Sequence, residues 1–383
     1  YWELKNQEYI KNKRKIKKDL KEKVLQSVEK QLISDKPLGL YLSGGIDSSI
    51  LLYAMSQAKQ NIDTFSVGFD LPVREDSDKF NKDFYLARRT ANYYSTRHHE
   101  VMLEPSDVIE LFEKAVIQMD EPISNPTSIP MMKLAEFAKG KVDVVLGGDG
   151  GDELFGGYER YRLSKIASLY QNILPEFIRN LISKGGKLSK LNISSAIERF
   201  ALFMFMKDTI LKRIFNGKIF DKTRSSQFFG EKYFKEFDKD FEKTFMNTDR
   251  QSWLVDESLM RSDKMSMFSG LEVRVPLLDK ELVQYANSIP TKYKVNPFNT
   301  KIIFKEVFKK DLPSFLLKEP KRGWFSPGAK WLRNDDVYKM AQDILSENYN
   351  KATSNLFNWK EINKILEDHY NKKEYKKFYL FQN

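Results

Sequence analysis

The sequence predicts an α/β fold in which a parallel twisted sheet is followed by a large helical C-terminal portion. The first observation is that short apolar segments alternate with segments of helical periodicity between residues 38 and 148. Parallel strands need such crossover connections, so this order predicts right-handed βαβ units. The second observation is that the sequence after about Glu153 has mostly helical patterns. The third is that 41% of the residues are hydrophobic and 13% are aromatic, which is enough for a sizeable core.

The elements follow one another in a regular order. The N-terminal segment has apolar residues at helical spacing, namely Leu20, Val24, Val28 and Leu32, which predicts a helix over 20–33. Pro37 ends this helix. The elements that we predict next are a strand over 38–42, a helix over 47–56, a strand over 62–69, a helix over 82–94, a strand over 97–103, a helix over 106–119 and a strand over 141–148.

The charge of the chain limits its partners. The sequence has 64 Lys and Arg against 53 Asp and Glu, a net charge of +11 that is compatible with nucleic-acid binding. Its densest basic run, residues 11–23, is however typical of a solvated helix face. An anionic small-molecule substrate would also benefit from a positive protein. We therefore do not expect a nucleic-acid partner.

The chain has no Cys, which excludes disulfides, thiolate zinc sites and a Cys nucleophile. This composition fits a reducing compartment, so we expect a cytoplasmic protein. No run of 18 apolar residues occurs, and we expect no membrane span. The first 20 residues also lack the apolar core of a signal peptide.

Two of the predicted strands end in glycine-rich turns. Ser43, Gly44 and Gly45 follow the first strand, and residues 147–152 (GGDGGD) follow the fourth. Ligands of open parallel sheets lie beyond the carboxyl ends of the strands. Because a helix begins directly after Gly45, several backbone N–H groups point to one place and favour an anion. The turn lacks the Lys of the Walker motif, so it is a different kind of phosphate loop.

Carboxylates accompany both turns. Asp47 follows the first turn, and Asp149, Asp152 and Glu153 belong to the second. A carboxylate inside an anion site is consistent with a magnesium ion, which bridges protein carboxylates and phosphate oxygens. Two structural alternatives are a helix cap formed by Asp47 and a calcium loop at the second turn. The ligand spacing of an EF-hand does not match the second turn.

Four segments in order resemble one known family. The SGGxDS pattern in YLSGGIDSSI (41–50) is similar to the pyrophosphate loop of the ATP pyrophosphatases. Together with VVLGGDGGDELFGGY (144–158), MRSDKMSMFSGLEVRVPLLD (260–279) and EPKRGWFSPGAKWL (319–332), it resembles the synthetase domain of the glutamine-dependent asparagine synthetases. The resemblance implies a sheet of the adenine-nucleotide alpha-hydrolase-like type, also called HUP or PP-loop.

The resemblance also implies roles for individual residues. Lys321, in the PKRG segment, would neutralise charge on the α-phosphate, and Asp149 would accept a proton during amidation. Asp47 and Asp152 would bind Mg²⁺. The residues that would contact ATP, through its pyrophosphate or its adenosine, are Leu42, Ser43, Gly44, Gly45, Asp47, Ser48, Val67, Gly68 and Gly148.

Complete members of this family begin with a glutaminase domain whose first residue is a Cys nucleophile. This chain has no Cys and begins with Tyr1-Trp2, a pair that in the family follows that domain. We therefore expect residues 1–35 to be an arm and helix after an absent glutaminase domain, and 36–383 to be the synthetase domain. Such a chain, shortened or naturally separate, would need ammonia or a glutaminase partner and would not hydrolyse glutamine.

The function that the resemblance implies is an ATP-dependent amide ligase acting on aspartate and ammonia. One alternative is a family ligase for another carboxylate, such as a macrolactam or lasso-type cyclase; the β-lactam-forming relatives differ in having Tyr in place of Asp149. Another is a tRNA-modifying PP-loop ATPase, which shares SGGxDS but does not explain GGDGGDELFGGY or LEVRVPLLD. A third is a module that binds ATP without catalysis.

Overall fold

The structure of the chain is a computed structural model. It describes residues 4, 8–59, 61–71, 79–122, 125–182, 187–204, 208–216, 225–234, 240–319 and 326–372. Lys321, to which the sequence analysis assigns a catalytic role, lies outside these residues.

The centre of the protein is a parallel sheet of five strands. Their order across the sheet is β3-β2-β1-β4-β5, and each neighbouring pair is parallel. The chain therefore runs from β1 outwards to β3 on one side and then returns to β4 on the other side of β1. The strands are β1 (Leu38–Tyr41), β2 (Asp63–Phe69), β3 (Arg97–Leu103), β4 (Val144–Leu146) and β5 (Glu272–Arg274).

Helices connect the strands and build the rest of the chain. Those that precede β4 are α1 (Lys13–Gln31), α2 (Ile46–Ala58), α3 (Lys82–Tyr93), α4 (Pro105–Met119) and α5 (Ser128–Lys139). Between β4 and β5 lie α6 (Gly151–Phe155), α7 (Glu159–Ile173), α8 (Glu176–Ile182), α9 (Lys187–Leu191), α10 (Ala196–Met204), α11 (Asp208–Ile214), α12 (Ser225–Tyr233), α13 (Phe241–Gln251), a π-helix (Trp253–Leu259) and α14 (Met260–Met267). After β5 come a 3₁₀ helix (Pro276–Leu278), α15 (Lys280–Asn287), α16 (Thr291–Lys294), α17 (Ile302–Phe308), α18 (Ser314–Lys318), α19 (Gly328–Trp331), α20 (Asp335–Ile344), a 3₁₀ helix (Lys351–Leu356) and α21 (Trp359–Tyr370).

The predicted fold class is confirmed by this parallel sheet and the long helical portion that follows it. The seven elements predicted between residues 38 and 148 are present, and β3 has the predicted bounds. Helix α1 begins at Lys13, earlier than predicted, because the Asn12 side chain caps it by accepting hydrogen bonds from the N–H groups of Arg14 and Lys15. The fourth strand is shorter than predicted and covers Val144–Leu146 only.

The structure contains two elements near the sheet that were not predicted from the sequence. Helix α5 fills the connection between α4 and β4, and its Pro130 lies in the first turn, where a helix tolerates proline. Strand β5 has only three residues. Two of them, Glu272 and Arg274, are charged and at least partly exposed, so the segment lacks the apolar run that predicts a buried strand. β5 extends the sheet beside β4, pairing Val145 with Val273.

Apolar side chains cover both faces of the sheet. One core contains Ile16, Leu20, Val24 and Val28 of α1 together with side chains of β1, α2, α15 and α17. The opposite face packs on helices α4, α5 and α14. A separate aromatic cluster, which includes Tyr161, Phe200, Phe234 and Phe245, holds the helices between β4 and β5 together. Among the described helices, none combines the length and apolar character that a bilayer crossing requires.

The sheet order creates a switch point between β1 and β4. The connections leave these two neighbouring strands in opposite directions, which opens a crevice at their carboxyl ends. Leu40 is paired with Leu146, so Ser43 and Asp149 follow the paired residues at the same distance along the chain. Both glycine turns of the sequence therefore lie at this crevice.

Candidate functional site

The first turn brings the start of α2 to the crevice. Gly44 has a φ of +70°, and a Cβ on it would lie 2.8 Å from both the backbone nitrogen of Ala87 and the Cβ of Leu86. Only Gly satisfies the backbone conformation and this close approach of α3 together. Gly45 is the N-cap residue of α2 and is exposed. The first N–H groups of a 13-residue helix are thus directed at the crevice.

Hydroxyl groups support this turn from inside. The hydroxyls of Ser43 and Ser48 lie 3.0 Å apart, and Ser49 donates to the carbonyl of Gly45 at 2.7 Å. Ser48 and Ser49 are buried, whereas Ser43 is exposed. The buried hydroxyls hold the turn in shape, and Ser43 is accessible to a ligand.

The second turn packs against the first. A Cβ on Gly148 would lie 3.2 Å from the Ser48 nitrogen, and one on Gly151 would lie 2.6 Å from the Asp47 carboxylate carbon. Gly150 has a φ of +88° and caps the short helix α6, which carries Asp152. The absence of side chains at these positions lets the carboxylates of the two turns approach each other.

A buried lysine joins the two carboxylates. The Lys301 ammonium forms ion pairs with Asp47 and with Oδ1 of Asp152, the latter at 2.5 Å. Lys301 is 2% exposed and precedes α17 in the left-handed conformation, with a φ of 51°. Burial alone lowers the pKa of Lys301, but the carboxylates of Asp152 and Asp47 outweigh it and raise that pKa above its usual value.

Lys301 was not identified in the sequence analysis. It has no glycine turn or acidic neighbour that would distinguish it from the other basic residues of the chain. The described residues contain no group of three or more His, Cys, Asp or Glu side chains arranged for a metal ion. The pair Asp47 and Asp152 nevertheless fits magnesium, because it already gathers around one cation and Oδ1 of Asp47 is buried without a hydrogen bond.

Asp149 lies at the end of the crevice beside the π-helix. The Ser258 hydroxyl donates a hydrogen bond to Oδ1 of Asp149 at 3.0 Å. Burial raises the pKa of Asp149, an effect that Ser258 and the nearby Arg261 oppose. Arg261 is itself paired with Glu257 at 2.7 Å, and Asn125 donates to the same Glu257 oxygen. Asp149 therefore has one fixed oxygen and surroundings that favour accepting a proton.

Glu153 faces away from the crevice into the protein. It is 2% exposed and accepts a hydrogen bond from the Tyr158 hydroxyl at 2.5 Å. Burial and the charge of Asp152 raise the pKa of Glu153 to about 7. This carboxyl supports the turn between α6 and α7.

The other predicted contact residues line the same edge of the sheet. Leu42 is buried, and its N–H continues the ladder by donating to the Phe65 carbonyl at 2.9 Å. Val67 and Gly68 lie in the last part of β2, two residues and one residue before its end at Phe69. The structure thus groups Leu42, the first turn, Asp47, Asp149 and Asp152 around one crevice.

The fold and this crevice define an α/β protein with a glycine turn at a helix N-terminus and a carboxylate pair at the switch point of its sheet. The chain belongs to the asparagine synthase family, whose sequence model matches residues 19–381. The family resemblance drawn from the four motifs is therefore confirmed.

Several individual proteins are similar to the chain. It is 28% identical to "Asparagine synthetase [glutamine-hydrolyzing] 1" of Bacillus subtilis, over 93% of this chain and 56% of that protein. A "Putative asparagine synthetase [glutamine-hydrolyzing] 2" of Methanocaldococcus jannaschii is 35% identical over 48% of this chain and 34% of its own length. "Amidase chyE" of Penicillium rubens is 24% identical over 91% and 58%, respectively. The chain thus spans about half the length of the curated relatives it matches.

Among solved structures, the chain is similar to an NH3-dependent NAD synthetase from Campylobacter jejuni. The identity is 16%, and the match covers 63% of this chain and 94% of the other chain, with a TM-score of 0.27.

Proposed function

We propose that this protein is an ATP-dependent amide ligase that makes asparagine. It would adenylate the side-chain carboxylate of aspartate with release of pyrophosphate. Ammonia would then attack the acyl carbon, giving the amide and AMP. The observation that carries the proposal is the meeting of an anion-binding turn, two carboxylates and a buried lysine at the switch point, in a chain of the asparagine synthase family.

The first turn is suited to bind the pyrophosphate part of ATP. Its N–H groups at the start of α2 and the exposed Ser43 hydroxyl would donate to phosphate oxygens. Ser48 would hold Ser43 in place, and Gly148 would keep the second turn close without a side chain in the way. Leu42 and the Val67–Gly68 segment would pack on the adenosine.

Asp47 and Asp152 would hold a magnesium ion, which neutralises the charge that develops on phosphate oxygens. Lys301 keeps these carboxylates together beside the turn and adds a positive charge there. Lys321, outside the described residues, is the proposed group for the charge on the α-phosphate. Fixed positive groups of this kind stabilise a transition state without reorganisation.

Asp149 would act in the second half-reaction. As the ammonia nitrogen bonds to the acyl carbon and AMP leaves, a proton must be lost from nitrogen. Oδ2 of Asp149 would take it while Ser258 holds Oδ1, and burial increases the affinity of this carboxyl for a proton.

A second candidate is a related ligase that acts on another carboxylate. The supporting observation is that two relatives, which this chain matches over 91% and 98% of its length, carry the name amidase instead of asparagine synthetase. The same crevice would bind ATP, and only the acid would differ.

Pyrophosphate release tests both candidates. With ATP, magnesium, ammonium and aspartate we expect AMP, pyrophosphate and asparagine in equal amounts. Glutamine in place of ammonium should give none, because the chain has no Cys nucleophile. A panel of other carboxylic acids in place of aspartate tests the second candidate. Formation of ADP and phosphate would contradict the assignment of the first turn.

Three variants separate the half-reactions. Asp149→Asn should keep the transfer of oxygen-18 from labelled aspartate to AMP but lower amide formation by about 10²- to 10⁴-fold. Asp47→Asn should lose both the oxygen-18 transfer to AMP and the formation of the amide. Asp143→Asn is the matched control, because Asp143 lies at the opposite end of β4, where it pairs with Lys139 at the surface. Loss of oxygen-18 transfer in Asp149→Asn, with intact ATP binding, would remove Asp149 from the proton-acceptor role.

A further inference from the structure

A small cavity lies near Gly156, at the end of the short helix that carries Asp152. Its lining includes Tyr9, Lys243, Arg250, Asn287 and Lys294. The Cβ of Lys294 is 3.4 Å from the place that a Cβ on Gly156 would occupy, so this cavity adjoins the turn but is not part of the proposed ATP site. Three of the nine residues that line it are basic.

Lys294 is the central residue of this cavity. It is 4% exposed, and its ammonium makes no hydrogen bond or ion pair with any part of the chain that the structure describes. Burial, followed by the positive charge of Arg250, lowers the pKa of Lys294 to about 7. The carboxylate of Asp240 opposes these effects, and Lys243 adds a smaller lowering of the pKa.

The nearest other carboxylates already have partners. Asp249 pairs with Arg160 at 2.9 Å and accepts a hydrogen bond from Tyr161 at 2.5 Å. Glu153 accepts from Tyr158. Arg250 donates to the side-chain oxygens of Asn247 and Asn287, which are neutral. Among the residues that the structure describes, neither Lys294 nor Arg250 therefore has a carboxylate as a hydrogen-bond or ion-pair partner.

We propose that this cavity binds a single monovalent anion of halide size, for which chloride is the abundant candidate. Its ligands would be the ammonium of Lys294 and the guanidinium of Arg250. A buried ammonium without a counter-ion is costly, and a bound anion would remove that cost.

The size of the cavity selects the class of anion. Its volume is about 10 Å³, the space for one group as large as a water molecule. Phosphate, sulfate and acetate are larger. Water would fit, but it would leave the positive charge unbalanced.

Thermal unfolding in matched salts tests this site. A ligand that binds only the folded state raises Tm as its concentration increases. Sodium chloride or bromide is compared with sodium gluconate at the same ionic strength, so that screening of surface charge is equal. We expect both halides to raise the Tm of the wild type relative to gluconate, and sulfate at that ionic strength to give no Lys294-dependent increase.

The control lies on the same short helix. Lys292 is exposed, whereas Lys294 is buried, so Lys292→Met removes an equal charge without touching the cavity. Lys294→Met should abolish the halide-specific increase, and Lys292→Met should keep it. A wild type that responds equally to chloride and gluconate, or a Lys294→Met protein that still responds to chloride, would overturn the proposal.

A direct measurement does not depend on unfolding. Protein-bound chloride broadens the ³⁵Cl NMR line, and bromide that occupies the same site narrows it again. We expect this bromide-sensitive broadening in the wild type and in Lys292→Met, more strongly at pH 6 than at pH 8.5 because the ammonium form of Lys294 is the binding form. If Lys294→Met broadened the line equally, the broadening would come from chloride at the positive surface of the protein, and the proposed site would be wrong.

Discussion

Lys294 and Lys301 are both buried, at 4% and 2% exposure, yet their charges behave in opposite ways. Lys301 lies between two carboxylates, which raise its pKa although burial acts against them. At Lys294, burial and then the neighbouring charge of Arg250 lower the pKa to about 7. Burial is common to the two residues, so the neighbouring charges decide whether a buried lysine keeps its proton.

The difference also separates two functions of buried charge. Lys301 completes a group of opposite charges from three distant parts of the chain, and this group shapes the crevice. Lys294 has no carboxylate partner among the described residues, and its positive charge is therefore available to an anion from solution. The first arrangement fixes a structure, whereas the second responds to the solution.

The largest effect is expected from Lys301→Met. The substitution leaves Asp47 and Asp152 without their shared cation, and breaking a buried pair in this way typically costs about 3–5 kcal/mol. We expect a loss of this size in the free energy of unfolding, measured by urea denaturation at pH 7. The double variant Lys301→Met, Asp47→Asn should recover part of the loss, because it removes one of the unpaired charges. A loss below about 1 kcal/mol in the single variant would show that solvent reaches these carboxylates.

An intermediate effect is expected from Gly157→Ala. A Cβ at this position would meet the Lys301 side chain and would lie 2.7 Å from Cγ of Asp152. Overpacking typically costs about 1–3 kcal/mol, which urea denaturation would measure. Gly140→Ala is the control, since the nearest atom to its added Cβ is 3.7 Å away and its φ is −65°. If both variants had the wild-type free energy of unfolding, the Asp152–Lys301 pair would be less tightly packed than described.

A third effect appears as a pH dependence at Lys294. Its pKa falls from 10.5 to about 7 on folding, so between these values the unfolded chain binds more protons and stability rises with pH. In halide-free buffer, Lys294→Met should therefore be more stable than the wild type near pH 7, and this advantage should shrink as pH rises towards 10. The upper limit of the slope is about 1.4 kcal/mol per pH unit.

Urea denaturation at several pH values measures this slope. Lys292→Met should follow the wild type throughout, because its side chain is exposed. A difference between Lys294→Met and the wild type that stays constant with pH would mean that Lys294 titrates normally in the folded protein.

The part of the fold that could be predicted from sequence is the part with strong local patterns. β2 and β3 are seven residues long and are bounded by clear helical segments, so both were found. β5 was missed because three residues cannot show a period, and Glu272 and Arg274 are polar. Its position depends on pairing with β4, which no local pattern encodes.

The same distinction applies to the site. Both glycine turns were predictable because the residues that form them are adjacent in sequence, and the family resemblance added roles to their carboxylates. Lys301 lies 254 residues from Asp47 in the sequence. Its backbone is left-handed, a conformation that Gly or Asn would have indicated but that a Lys does not. Lys294 was not predictable either, since its lowered pKa comes from burial in the tertiary fold and from Arg250 on another helix.

Helix α1 has a consequence for how the protein is made. Its Lys13 and Lys21 pair with Glu306 and Asp311, at sequence separations of 293 and 290 residues. At a synthesis rate of about 5–20 residues per second, α1 leaves the ribosome roughly 15–60 seconds before these partners exist. Its apolar face, which includes Ile16 and Leu20, remains partly uncovered during that time. Helix α1 is thus a segment of the nascent chain where a chaperone would have a long opportunity to bind.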